Sequence, residues 1–332
     1  MAKSRKDRIQ GVLLSLATIN DDDHNLLLDR QRVHLRWLID HGFKEGSGVL
    51  LIAGGMGEGY FLDDDEWYAL TDLLAEEARG KVATGVGIFE LSARRTASKA
   101  RYAADAGIDC VQMAPPHYLL PNEQEVFDHY RYVNDAADIG IVAYNTPWAM
   151  PSPGFDFSQR LLEKFATLEN MVGIKWSTSD YRHYLRMIRV LGDRLNFFDN
   201  NRIFTHGARI GSKGFTDFLG NVAPRLALKK WELVSQGRFN ECDDLELQLE
   251  FDPAAKESGA DEPPVGGMGE GPVARMILSA LGMETGPAFP AQVSQPEAAV
   301  KAYTRFVQAS GIRRQWVDWD QSLFDGLSDG RR

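Results

Sequence analysis

A chain of 332 residues with 44% hydrophobic and 25% charged residues has the makeup of an ordinary globular protein, long enough for one large α/β barrel or for two medium domains. Its formal charge of −10 argues against a nucleic-acid partner, which needs a basic surplus or stripe. Two cysteines, Cys110 and Cys242, build neither a disulfide framework nor a cysteine metal site, and the plain expectation is a reduced, cytoplasmic setting.

The basic start MAKSRKDR leads into LLSLAT, an apolar run too short for a signal peptide or a membrane span, and then into the acidic NDDD. No membrane association is expected. Short apolar runs then alternate with helix-period segments. Strands are expected at 11–18, 48–55, 81–87, 110–115, 140–145, 171–177, 195–200 and 212–218. Several are apolar on both faces, as strands of a covered parallel sheet are. Between them lie RQRVHLRWLIDHG, DDDEWYALTDLLAEEARG and ARRTASKARYAADAG, with Gly42, Gly80 and Gly107 as helix stops. Eight such alternations within residues 1–224 predict a (β/α)₈ TIM barrel, although periodicity alone also fits an open doubly wound sheet.

After Pro224 the pattern is helical, so residues 225–332 are expected to form a C-terminal helical region packed on the barrel. LALKKWELVSQGRFNECDDLELQLEF reads as one or two helices, and PVARMILSALG and PEAAVKAYTRFVQASG as one each. The polar, Pro/Gly-rich stretch DPAAKESGADEPPVGGMGEG has linker composition. Its last six residues, 266–271, repeat the GGMGEG of residues 54–59. The spacing is too long and the flanks too different for a structural repeat, so the second copy is expected to be plain linker.

Three features of the barrel bear on chemistry. The first GGMGEG ends a strong strand and precedes an acidic helix start, which makes it a βα loop with backbone N–H groups on offer to a carboxylate or phosphate. It lacks the Lys-Ser/Thr of a P-loop, and a tight turn needing glycine is the structural alternative. Glu58 is expected to hold this loop rather than to act as an acid. The second feature is Lys175 in the apolar strand GIKWS. It either snorkels to solvent or carries a depressed pKa and serves as a Schiff-base amine at the barrel mouth. The third is Tyr144 in VAYNTPW, a proton relay or a core aromatic with a satisfied hydroxyl. His117 and Tyr118 follow strand four. The scattered histidines, His129, His183 and His206 among them, lack metal-ligand spacing, so neither a metal nor another cofactor is expected.

Taken in this order, the features resemble the dihydrodipicolinate synthase/N-acetylneuraminate lyase family of Schiff-base, class I aldolase-type barrels. The loop Gly54-Gly55-Met56-Gly57-Glu58 is similar to its G-[TS]-T-G-E, Tyr144-Asn145-Thr146-Pro147 to its Y-N-x-P, and Gly173-Ile174-Lys175-Trp176 to its G-x-K-x. The likeness runs from about residue 9 to Pro224, with a weaker echo in ALGMETGPAFP. It implies that Lys175 attacks the C2 carbonyl of pyruvate or another 2-oxo acid and that Tyr144 relays protons. The amides of residues 55–57, with Gly54, Gly55, Met56 and Gly57 lining the site, would hold the substrate carboxylate. Tyr118 would complete a relay between neighbouring subunits, which implies a homo-oligomer, a dimer or a dimer within a tetramer.

The departures concern the substrate. Gly55 replaces the relay threonine of the synthases, and Ala149 replaces their arginine, so lysine-biosynthetic condensation is not expected. Gly-Gly in the loop and Pro115-Pro116 are also similar to the 5-dehydro-4-deoxyglucarate dehydratases. Met56, Trp148 and Trp176 would make an apolar mouth. Thr216 and Asp217 near the end of strand eight, and Asp199 and Asn200 after strand seven, are candidates for binding hydroxyls, with loop capping as the alternative. The expected activity is making or breaking a C–C bond beside a lysine Schiff base. The alternatives are dehydration of a sugar-derived 2-oxo acid and a non-catalytic small-molecule-binding barrel.

Overall fold

In the computed structural model, residues 4–118, 120–150, 155–178, 180–250 and 270–327 are described. Eight parallel strands close a barrel in chain order: β1 (Gly11–Ser15), β2 (Gly48–Ile52), β3 (Ala83–Ile88), β4 (Cys110–Met113), β5 (Gly140–Asn145), β6 (Met171–Trp176), β7 (Asn196–Asp199) and β8 (Gly214–Asp217). All eight expected strands are present, and β1 pairs with β8 to close the ring. The helices that follow them are α1 (Leu28–Asp40), α2 (Asp64–Ala78), α3 (Ala93–Ala106), α4 (Glu123–Ala136), α5 (Gln159–Phe165), α6 (Tyr181–Leu191), α7 (Phe204–Ala208) and α8 (Pro224–Ser235).

Period-two alternation assigns each strand side chain to one of two cores. Leu13, Val49, Leu51, Cys110, Val142 and Phe198 fill the barrel interior. Their neighbours, such as Leu14, Leu50, Val111 and Ile141, pack outward against the helices with Trp67, Tyr130 and Tyr184. Each such side chain contributes about 1.5–3 kcal/mol by leaving water. Local sequence sets the helix ends. Asp63 and Glu66 form a capping box at the start of α2, with Asp63 N–H donating to Glu66 Oε2 at 2.9 Å. Gly107 stops α3 in the left-handed region, at φ +87°.

One strand pair is irregular, and the irregularity positions the site. Ile141 of β5 pairs with Met171, whereas Val142 pairs with Gly173, so Val172 is an extra residue in β6. Val172 still faces the interior. After the bulge the parity is reversed: Ile174 and Trp176 face the helices, and Lys175 faces inward, paired with Tyr144. Unbroken alternation from Val172, with no bulge, would carry Ile174 and Trp176 inside and put Lys175 among the helices.

The C-terminal half continues with α9 (Phe239–Glu250), α10 (Gly271–Leu281) and α11 (Glu297–Ser310). The expected boundary at residue 224 coincides with the first residue of α8, which packs on β1 and is the barrel's own eighth helix. The tail packs on the barrel as well. Asp318 N–H donates to Val222 O at 2.9 Å, and the Trp319 ring meets Trp37 edge-on at 5.0 Å. Among the described residues, no helix is long and apolar enough to cross a membrane.

Candidate active site

The C-terminal strand ends of the barrel converge on Lys175. Its side chain is 3% exposed, and Nζ stands 3.9 Å from the centroid of the Tyr144 ring. Burial holds the ammonium below the usual lysine range, opposed by the carboxylate of Glu270. Among the described residues Lys175 has no ion-pair partner. The ring face of Tyr144 supplies what local stabilisation the cation has.

Tyr144 is 1% exposed, and its hydroxyl belongs to a short polar chain. Thr216 Oγ1 donates to Asn200 Oδ1 at 2.5 Å, and Asn200 Nδ2 donates to the Tyr144 oxygen at 3.3 Å. Because the phenol oxygen accepts from Asn200, its own proton is available to a group lying towards Lys175. Burial raises the Tyr144 pKa well above its ordinary value, and the Glu270 carboxylate adds to the rise while Asn200 opposes it. The hydroxyl is therefore a neutral donor–acceptor. The next residue, Asn145, has a different task. Its carbonyl accepts from Phe157 N–H at 3.1 Å and its amide donates to Asp156, which pins the segment beyond the β5 loop.

The loop after β2 is built by glycine. A β-carbon on Gly54 would stand 2.7 Å from Ser15 Oγ, and one on Gly57 would stand 2.5 Å from Leu16 O. Gly57 N–H donates to Gly54 O at 3.1 Å, so it does not belong to the expected carboxylate cradle of residues 55–57. The N–H groups of Gly55 and Met56 make no hydrogen bond among the described residues and remain to hold an anion. Glu58 adopts a left-handed backbone, φ +55°, and is buried. Its carboxylate accepts from Arg275 Nε at 2.7 Å, Phe289 N at 3.2 Å and the Gln292 amide. It anchors the loop to the C-terminal helices, the structural role expected of it.

Several expected site residues lie elsewhere. Asp217 faces the helix layer, where its carboxylate pairs with Lys230 Nζ at 2.8 Å and accepts from Gly220 N at 3.0 Å. It is a structural anchor on the helix side of β8, because strand alternation aims Thr216 inward and Asp217 outward. Asp199 caps the loop after β7 by accepting from the amides of Asn201 and Ile203. Trp176 is absent from the mouth, since the bulge turns it outward onto Tyr184 and Phe197. Trp148, 58% exposed, and the half-buried Met56 stay on the mouth side. Tyr118 is 78% exposed on the loop after β4, and among the described residues it makes no hydrogen bond or ring contact with Tyr144.

The second GGMGEG falls outside the described residues over 266–269, but Glu270 and Gly271 are described and are not plain linker. Gly271 is the first residue of α10, and a β-carbon there would run into the Glu58 side chain of the first copy. Reciprocally, a β-carbon on Gly55 would clash with a carboxylate oxygen of Glu270. Each hexapeptide thus presents a glycine to the other's glutamate. Glu270 N–H donates to Tyr60 Oη at 3.2 Å, and Tyr60 is pushed up to about 12, by burial first and by the Glu270 and Glu58 carboxylates after it.

Two further polar groups went unnamed in the sequence. Ser15 and Gln112 continue the inward-facing series of β1 and β4, and Ser15 Oγ and both amide atoms of Gln112 are buried without a hydrogen-bond partner. The signal was present: each is a polar residue at an inward position of an otherwise apolar strand, where an unsatisfied polar group costs about 1–3 kcal/mol unless a ligand completes it.

This geometry can be compared with known proteins. The model of the dihydrodipicolinate synthetase family matches residues 9–254. The 4-hydroxy-tetrahydrodipicolinate synthase of Anaplasma marginale is 28% identical over 234 residues, which cover 70% of this chain and 75% of that protein. Among solved structures, the chloride-inhibited dihydrodipicolinate synthase of Acinetobacter baumannii, complexed with pyruvate, superposes with a TM-score of 0.78 at 19% identity, covering 92% of this chain and 99% of its own. The sialic acid aldolase of Ruminococcus gnavus gives a TM-score of 0.77 at 17% identity, covering 93% and 99% of the two chains. At such identities the two superpositions bear on the fold.

Proposed function

The chain belongs to the dihydrodipicolinate synthetase family, and on that premise we propose that Lys175 is the amine through which it acts as a Schiff-base lyase on pyruvate or another 2-oxo acid. One observation carries the assignment: a bulged strand turns Lys175 into the barrel interior, 3.9 Å over the Tyr144 ring, with no ion-pair partner among the described residues. A buried lysine whose charge is disfavoured supplies the free amine that attacks a ketone. The amine adds to C2 of the 2-oxo acid, and loss of water leaves an iminium that draws electrons from the adjacent bond. A C–C bond next to the resulting enamine is then made or broken. Tyr144, held by Asn200, passes a proton between nitrogen and departing oxygen. The amides of Gly55 and Met56 receive the substrate carboxylate, while Ser15, Gln112 and Thr216 face the remainder of the substrate.

Tyr118 serves the relay of a neighbouring subunit, which accounts for an exposed tyrosine at the rim and implies a homodimer or a tetramer built from it. The setting is cytoplasmic. The test is borohydride reduction in the presence of pyruvate and a panel of longer 2-oxo acids, read by intact mass. An adduct on the wild type and none on Lys175→Ala is the expected result. The acid that labels most completely identifies the substrate class. A folded wild type that no acid labels would overturn the assignment.

A further inference from the structure

The carboxylate brought to the mouth by the second hexapeptide has no structural task comparable to that of Glu58. Glu58 is tied down by Arg275, Phe289 and Gln292. The side chain of Glu270 makes no hydrogen bond or ion pair among the described residues; its backbone N–H is engaged by Tyr60 and its carbonyl accepts from Ala274 N–H. Its carboxylate nevertheless occupies the space that a side chain on Gly55 would fill, in the loop whose amides face the substrate. From there it acts electrostatically on both Lys175 and Tyr144. An unanchored carboxylate in that place has the chemistry of a proton shuttle.

We propose that Glu270 is the general acid–base of the Schiff-base cycle, delivered from the C-terminal half of the chain into the gap left by Gly55; this rests on the Lys175 reading above. The carboxylate, which makes no ion pair with Lys175, first takes the ammonium proton through a water molecule, leaving the free amine and a carboxylic acid. The amine bonds to C2 of the 2-oxo acid, and Tyr144 moves a proton from nitrogen to the former carbonyl oxygen to give the neutral carbinolamine. The acid then donates its proton to that hydroxyl as the C2–O bond breaks, releasing water and leaving an iminium and a carboxylate. The carboxylate next removes a proton from C3, and the C3–H electron pair becomes the enamine double bond. Glycine at position 55 is thereby a requirement of the mechanism: any side chain there evicts the shuttle.

The test separates imine formation from proton removal at C3. Borohydride trapping with pyruvate reports the first, and exchange of the pyruvate methyl protons in D₂O, followed by NMR, reports the second. In Glu270→Gln the Lys175 adduct is expected to form more slowly but still to accumulate on long incubation, while C3 exchange, measured once the adduct has formed, falls by about 10²-fold or more. Glu270→Asp should recover part of the exchange, and Gly55→Ala should reproduce the Gln variant. C3 exchange at the wild-type rate in Glu270→Gln would overturn the proposal. So would loss of adduct and exchange together in all three variants with a lowered melting temperature, which would make Glu270 a support for the loop. A wild type that forms no adduct would instead remove the Schiff-base reading itself.

Discussion

Lys175 and Lys230 are both buried, on opposite faces of the same sheet, and their surroundings are opposite. Lys230, on α8, lies 2.8 Å from both Asp217 Oδ2 and Glu246 Oε1. Burial works against its charge, but the two carboxylates outweigh burial and raise its pKa. Lys175 is buried as deeply with no ion-pair partner among the described residues, and its pKa is lowered. Burial therefore does not distinguish a reactive lysine from a structural one; the partners do. A lysine locked between carboxylates stays an ammonium and holds the fold together, whereas a lysine over a phenol ring can give up its proton and act as a nucleophile.

Paired substitutions test that contrast. Lys175→Met should abolish the borohydride adduct while leaving the melting temperature at or above that of the wild type, because it removes a buried cation. Lys230→Met should do the reverse. It leaves Asp217 and Glu246 buried without their cation, so a loss of about 3–5 kcal/mol in urea unfolding is expected, with Lys175 still trapped by pyruvate in the folded fraction. If both variants lost stability and kept the adduct, the distinction drawn here would be wrong.

Smaller effects sharpen the picture around each residue. Tyr144→Phe keeps the ring under Lys175 and removes only the hydroxyl, so turnover should fall by about 10²-fold while substrate still binds, as steady-state kinetics would read. The pH dependence of stability reports a third kind of buried base, one that burial keeps neutral. His34 donates from Nε2 to Asn221 O at 2.8 Å, and burial lowers its pKa to about 4. A folded pKa below the unfolded value means that the unfolded chain binds the proton more readily. Stability is then complete above about pH 6.5 and declines as pH falls towards 4, by about 1.4 kcal/mol per pH unit at most for this histidine. Urea midpoints at pH 7 and pH 5 measure it, and equal midpoints would contradict it.

Much of this was legible from residue order alone. The eight strands and their helices follow from apolar periodicity and glycine stops, because each local segment prefers the state that the barrel then uses. Tyr144 and Lys175 were legible as well, since a polar residue near the end of an apolar strand signals a barrel mouth. Their common orientation was not: it depends on the extra residue at Val172, a bulge that pairing with β5 decides and that no local propensity announces. The same slip turned Trp176 from an expected pocket wall into core. Asp217 was misplaced for a related reason, because which of two adjacent polar residues faces inward is set by register.

Residue order sufficed for the alternating elements and for marking Lys175 and Tyr144 near the ends of apolar strands, because these rest on interactions between residues close together in the chain or on period-two patterning; closure of the ring and the pairing of the two side chains came from long-range register. What the two GGMGEG stretches do follows from their packing against each other and not from their order in the chain. Their glycines and glutamates meet across more than two hundred residues of chain. Contact between Gly55 and Glu270 depends on how the C-terminal helices dock over the β2 loop, through the buried Glu58–Arg275 pair. The repetition was visible from the start, but its meaning required the space in which one copy's missing side chain leaves room for the other's carboxylate.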